Sequence, residues 1–327
     1  MALSKKRAAI IATVLTVVYF VPLFFLPESI IGHRDDDLLL FVPKILFLAL
    51  TSSISTVFVL ILIFRGDFVK QQLAIFNRFK YLLGNMVKRD FVARYRKSVL
   101  GVLWSVLHPL LTMIVLSTVF SLMLGRGAYP NFPIYFFSGQ ILYLFLNEST
   151  TMAMGSVIAN EGIIKKVYVP KYIFPLSRVI STLINMMFSF IAFMFVFIFT
   201  GVQFQWTMLL IPIPIIYIFV FALGVALFMS ALTVFFRDLT YLYGVFMQLL
   251  FFTTPIIYTM DSIPDWLEPI YGFNPLFHFI TYFREVAIWG TVPDLWSNMV
   301  CIGFALASLC IGVYVFMKKQ DRYILYL

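Results

Sequence analysis

Charge is scarce in this 327-residue chain: Asp, Glu, Lys and Arg make up 12% of it, against 62% hydrophobic residues and a mean hydropathy of +0.97. A soluble domain carries about a quarter of its residues charged, so water cannot be the solvent for most of this chain, and an α/β enzyme on a buried core is excluded. Cysteine is nearly absent. Cys301 and Cys310 lie in one apolar run without clustered Cys/His spacing, so they indicate neither disulfide nor zinc and read as small lipid- or core-facing residues. Also missing is any G-x-x-x-x-G-K-S/T phosphate loop. The chain alone is therefore not expected to hydrolyse ATP by that route, and energy must come from a partner or an ion gradient.

Long apolar runs are abundant. A hydrocarbon core about 30 Å thick needs about 20 apolar residues per spanning helix. Such runs occupy residues 8–26, 38–64, 99–124, 133–159, 173–201, 207–235, 240–260 and 295–316, which predicts an all-α integral membrane protein with about eight transmembrane helices. The first run follows Lys5, Lys6 and Arg7 as a signal sequence would. It is longer than a signal core, and 27–37 holds no small-residue cleavage site, so it is kept as an uncleaved span.

Residues 65–97 are too polar to span. Val69, Leu73, Phe76, Phe79, Leu83, Met86, Val87, Phe91 and Tyr95 recur at helical spacing opposite Lys70, Arg78, Lys80, Lys88, Arg89, Arg94, Arg96 and Lys97. This pattern describes an amphipathic cytoplasmic interface helix with its cations toward anionic headgroups, expected to kink or divide at Gly84-Asn85. Between 261 and 293, Pro264, Pro269, Asn274-Pro275 and Pro293 interrupt apolar stretches too short to cross. Those stretches predict outer re-entrant helices, tolerated only where protein or a water-filled cavity satisfies the broken backbone. The domains expected are thus a two-span extension (1–66), the interface helix (67–98) and a six-span domain (99–327).

The formal charge of +9 would suit a nucleic-acid binder, but its placement decides otherwise. Counting spans puts most of the 24 basic residues on one side, while Asp35–Asp37, Asp261, Asp265, Glu268 and Asp294 fall on the other. That is the positive-inside distribution of a multi-pass protein with both termini cytoplasmic, and it removes nucleic acid as a partner.

Within the spans the ionisable groups are Lys44, His108, Glu148 and Arg178. Glu148 is the sharpest, because an uncompensated acid at mid-helix costs about 2.5–3.5 kcal/mol on insertion scales. It shares a polar stripe with Gln140, Asn147, Thr151 and Gly155 that must face protein or water, as interhelical hydrogen bonding, pore lining or a proton relay. His108, before Pro109, reads as a packing residue at a kink. The 38 Phe and 17 Tyr serve mostly as lipid-facing filler, yet an aromatic-lined pore would use the same residues to stack on sugar faces.

The stretch from Arg89 through Trp104, closed by Pro109, resembles the entry signature of permease subunits in bacterial ABC exporters of polysaccharides, those of O-antigen and wall teichoic acid. Phe236-Arg237-Asp238-Leu239, Thr254-Pro255-Ile256-Ile257-Tyr258, Asn274-Pro275-Leu276 and the tail at 319–327 follow in the family's order, and the likeness covers about 68–327. The resemblance implies a permease homodimer docked on two separate ATP-binding subunits, which would hold the ATP and Mg; no cofactor is expected in this chain itself. It further implies a polyprenyl-diphosphate-linked polysaccharide as substrate, passing between the two permeases in the cytoplasmic membrane. The 160–171 loop, with Asn160, Glu161, Lys165, Lys166 and Lys171, would dock the ATPase. Arg89, Arg94, Tyr95, Arg96 and Lys97 would meet the lipid diphosphate at the interface, and Trp104, Tyr143, Asn147, Glu148, Phe252 and Tyr258 are channel candidates. The extension at 1–66 departs from the six-span pattern.

Two other functions compete. A gradient-driven lipid or glycan flippase would use Glu148 as its proton site and need no ATPase. A membrane-embedded glycosyltransferase would need paired acids, and only the solvated-looking Asp35–Asp37 cluster offers them. The motif series favours the exporter. For topology, single cysteines at Ser4, Gly162 and Gln320 in a cysteine-free background should react with an impermeant maleimide only from the cytoplasmic side, and those at Asp36 or Asp265 only from outside. Outside labelling at 162 would overturn the arrangement.

Overall fold

The computed structural model describes residues 66–96, 98–123, 131–260, 263–264 and 271–326. The expected spans at 8–26 and 38–64, together with Lys44, Lys97, Asp35–Asp37, Asp261, Asp265 and Glu268, lie outside the described residues. Among those described, every regular element is helical.

Helix α1 (Gly66–Tyr95) is the amphipathic segment. It runs through Gly84-Asn85 without a break, contrary to the expected division. One helical glycine costs only about 1 kcal/mol relative to alanine. The burial of Leu83 and Met86 on either side of the pair, at 7% and 2% exposure, holds the turn in register. These two residues, with Phe76 and Phe79, pack against Val157, Ile173 and Phe174 in a core at the basic end of the molecule.

A 3-10 turn (Gly101–Leu103) leads into α2 (Trp104–Met123), which passes through Pro109. Helix α3 (Phe132–Met154) follows, then two single turns (Ser156–Ala159 and Glu161–Ile164) and α4 (Ile173–Phe199). Another 3-10 turn (Trp206–Leu210) precedes α5 (Pro212–Thr233), whose proline sits in the first turn, where the missing N–H is harmless. Then come α6 (Leu239–Thr253), α7 (Pro275–Arg284) running on into a π-helical turn (Glu285–Trp289), and α8 (Leu295–Lys319) with a short helical tail to Tyr326.

Four helical stretches among the described residues are long and apolar enough to cross a membrane: Gly101–Phe120, Ile173–Phe199, Trp206–Thr233 and Leu295–Arg322. Helix α3 is not one of them by composition. It touches α2, α4, α5, α6 and α7 and is buried on most of its surface, with Asn147, Glu148 and Thr151 the partly open polar exceptions near its C-terminal end. Helix α6 stops at Thr253, short of the expected 260, because Thr254 precedes Pro255 and is driven to extended backbone (φ −97°, ψ 136°).

The most extensive helix contact is α5 against α8. Gly224 and Gly312 face each other there so closely that a Cβ on Gly224 would strike the Ser308 backbone, and one on Gly312 the Gly224 carbonyl. Ser308 Oγ donates to the Phe221 carbonyl at 2.9 Å across the same crossing. Without a hydrophobic force between helices in lipid, such small-residue approach with interhelical hydrogen bonding is what holds them together. Gly224→Ala should therefore cost about 1–3 kcal/mol by overpacking. The expected readout is a fall of several degrees in the thermal unfolding midpoint of the detergent-solubilised chain; an unchanged midpoint would refute the close contact.

Candidate functional site

The basic end of α1 is tied to the bundle by polar contacts. Asp90, 6% exposed, pairs with Arg178 of α4 at 2.8 Å and with Arg89 at 3.5 Å. Arg89 also donates to Asn160 Oδ1 at 3.5 Å. One turn on, Arg94 pairs with Glu148 of α3 and contacts Met152 Sδ at 3.3 Å, and Tyr95 Oη donates to Asn185 Oδ1 of α4 at 3.2 Å. Arg96 is exposed. Glu148, the costly acid of the sequence, thus has its cationic partner on another element.

Arg94, Tyr95 and Glu148 sit at a cleft of about 510 Å³ between α1, α2, α3 and α4. Trp104, Ser105 and His108 line it from α2, Asn147 from α3, and Thr182, Asn185 and Ser189 from α4. His108 is exposed to this space instead of packed at the proline.

A second cleft, about 560 Å³, lies around the other side of α3. Gln140, Tyr143, Asn147 and Thr151 face Gln248, Phe251 and Phe252 of α6 across it. Tyr143 packs at a tilt of 57° against Phe251 with centroids 4.8 Å apart and donates to the Met247 carbonyl at 3.0 Å. Gln140 Oε1 is buried without a hydrogen-bond partner among the described residues. The polar stripe of α3 is therefore split: Glu148 faces one cleft, Gln140 and Thr151 the other, and Asn147 stands on the ridge between them.

Beyond α6 the backbone is broken at Pro255, and a single side chain gathers the loose ends. Arg284, 2% exposed at the end of α7, donates to the Pro255 carbonyl (2.8 Å), the Tyr135 carbonyl (3.1 Å) and Ser138 Oγ (3.2 Å), with its guanidinium 3.5 Å from the centre of the Tyr135 ring. Tyr135 Oη donates to the Tyr258 carbonyl at 3.0 Å, and Tyr258 Oη donates to the Phe252 carbonyl at 2.9 Å. Asn274 accepts from Leu276 N and Phe277 N as the N-cap of α7, and its amide donates to Thr254 Oγ1 at 2.8 Å. Two motifs about 20 residues apart in sequence thereby meet in one hydrogen-bonded knot.

The 160–171 loop is only partly a free surface. Asn160 is buried and donates to the Ser156 carbonyl at 2.7 Å, while Glu161 and Lys165 pair across one exposed helical turn. Lys171 donates to the Gln320 carbonyl at 2.6 Å and lies over the Tyr323 ring; burial lowers its pKa from the ordinary lysine value, and Asp321 partly offsets this. The exposed part is Gly162 and the run Lys165, Lys166, Val167 and Tyr168. Val167 and Tyr168 are not among the docking residues expected from sequence, although two bulky apolar residues beside paired lysines in a polar loop are a usable signal. Nothing in the sequence marks Arg284, since its acceptors are carbonyls and a hydroxyl on distant elements.

Residues 81–288 match the family model described as ABC-2 type transporter. The chain is 31% identical over 246 residues to the O-antigen export system permease protein RfbA of Klebsiella pneumoniae, covering 74% of this chain and 93% of that one. It is 26% identical over 248 residues to the protein of the same description from Myxococcus xanthus (75% and 95%), and 22% identical over 239 residues to the polysialic acid transport protein KpsM of Escherichia coli (71% and 91%). The matched span contains both clefts and Arg284. Arg284→Lys keeps the charge but loses the fork that reaches several acceptors at once, and each carbonyl left unsatisfied costs about 1–3 kcal/mol. Its midpoint in detergent should fall by several degrees and that of Arg284→Met further; a wild-type midpoint in both would remove the clamp.

Proposed function

The chain belongs to the ABC-2 type transporter family, and we propose that it is the channel-forming permease of an ATP-driven exporter moving a polyprenyl-diphosphate-linked polysaccharide across the cytoplasmic membrane of a bacterium. Teichoic acid, O-antigen or a similar cell-surface glycan fits this reading. The observation that carries it is the polar cleft cut among apolar helices with Arg94 and Glu148 at its edge, in a chain whose relatives are described as O-antigen export and polysialic acid transport proteins.

On this reading the lipid diphosphate meets Arg89, Arg94, Tyr95, Arg96 and Lys97. The glycan passes the α3–α6 cleft, where Tyr143, Phe252 and the amides of Gln140, Asn147 and Gln248 suit a hydroxyl-rich chain with apolar sugar faces. A second copy of the chain completes the channel: α6 turns Tyr241, Leu242, Val245, Phe246 and Leu249 outward, an apolar face that a partner helix would cover. A separate ATP-binding subunit, carrying ATP and Mg, docks on the exposed 165–168 turn. The arrangement proposed for the whole chain is eight spans, with 1–66 as a two-span extension, 261–293 re-entrant and both termini cytoplasmic. The Arg94–Glu148 pair supports this reading over a gradient-driven flippase, in which Glu148 would have to cycle as a lone proton carrier.

The test is Arg94→Lys with Arg96→Lys, in the chain co-purified with its ATPase. The exchange keeps charge and topology but removes the bidentate fork, worth about 1.5–3 kcal/mol per charge-assisted bond. Membrane insertion and ATPase docking should be intact, with export and substrate-stimulated ATP hydrolysis down several-fold. Wild-type export would make the collar a membrane anchor.

A further inference from the structure

The cation at the mouth of the first cleft is already occupied by an anion of the protein's own. We propose that Glu148 holds the place of a phosphate headgroup at Arg94, so that a phosphate or diphosphate entering the cleft displaces the carboxylate and frees the last turn of α1 from α3. This rests on the reading of the collar as a lipid-phosphate site.

Three observations carry it. Arg94 and Glu148 are 32% and 36% exposed, so their pair is weak, of the order of the exposed ion pairs that contribute little to stability, and is open to exchange. Asp90, one turn earlier on the same face of α1, is 6% exposed and pairs with Arg178, so α1 keeps a firm hold when its end lets go. A guanidinium takes carboxylate and phosphate oxygens in the same fork, and a diphosphate brings more charge than one carboxylate. The space to receive it is present: the cleft runs from Arg94 and Glu148 past Ser98, Ser105 and Ser189.

The full chain in nanodiscs of zwitterionic lipid, titrated with farnesyl diphosphate, separates the outcomes. Glu148→Gln, which removes the competing charge, should bind about fivefold tighter than wild type, equivalent to about 1 kcal/mol. In an Arg94→Gln background binding should weaken, and the Glu148 effect should vanish. If wild type and Glu148→Gln bind equally well, the exchange is wrong while the collar reading stands; if no variant binds, the collar reading itself falls. Inorganic pyrophosphate and nanodiscs containing phosphatidylglycerol distinguish the source: competition by either as strong as by farnesyl diphosphate would keep the exchange but assign the site to free phosphate or bulk lipid.

Discussion

Hydrocarbon offers no hydrogen bonds, so every backbone group at membrane depth must be satisfied from within the protein, and Pro255 breaks the one structure that does this automatically. The helix can end at Thr253 only because other residues take over its loose polar groups. Arg284 donates to the Pro255 and Ile256 carbonyls just past that end, Tyr135 reaches the Tyr258 carbonyl, and Asn274 links the cap of α7 to Thr254. Gly139 makes room for the guanidinium, since a Cβ there would come within 3.0 Å of Nη2. The stop of α6, the placing of α7 and the use of Tyr135 and Ser138 at the start of α3 all answer this one requirement.

The same economy of charge governs the opposite end of the molecule. Cations of α1 that a simple amphipathic picture sends toward headgroups are divided between two duties. Arg89 and Arg94 turn toward acids and amides of the bundle, while Arg96 remains exposed. Helix α1 is thereby fixed to α4 through Asp90 and Tyr95, and held more lightly to α3 through the half-exposed Arg94 pair between them.

Periodicity made α1 legible in the sequence, because its apolar residues recur at helical spacing and bury where that spacing puts them. Hydropathy located α2, α4, α5 and α8, whose long apolar stretches leave no alternative in water. It overran α6, since Ile256 and Ile257 are as apolar as any spanning residue and only the proline beside them marked the stop. Glu148 was visible as an anomaly, but its partner was not: Arg94 lies more than 50 residues away, and a charge pattern within one element carries no information on lateral pairing. Arg284 was hidden for the same reason. The expected pair of spans at 8–26 and 38–64 falls outside the described residues.

Lys171 joins two segments that sequence treats as unrelated, a loop at 160–171 and the tail after α8. Its ammonium holds the Gln320 carbonyl and lies over the ring of Tyr323, which is wholly buried, and Phe235 packs on Tyr326 from the turn after α5. The exposed turn at 165–168 is therefore followed closely by a residue bound to the tail of α8, the helix that meets α5 where Gly312 faces Gly224. Pulling Lys171 away from the bundle would cost its bond to Gln320 and take the ammonium off the ring of Tyr323, a tyrosine with no exposed surface.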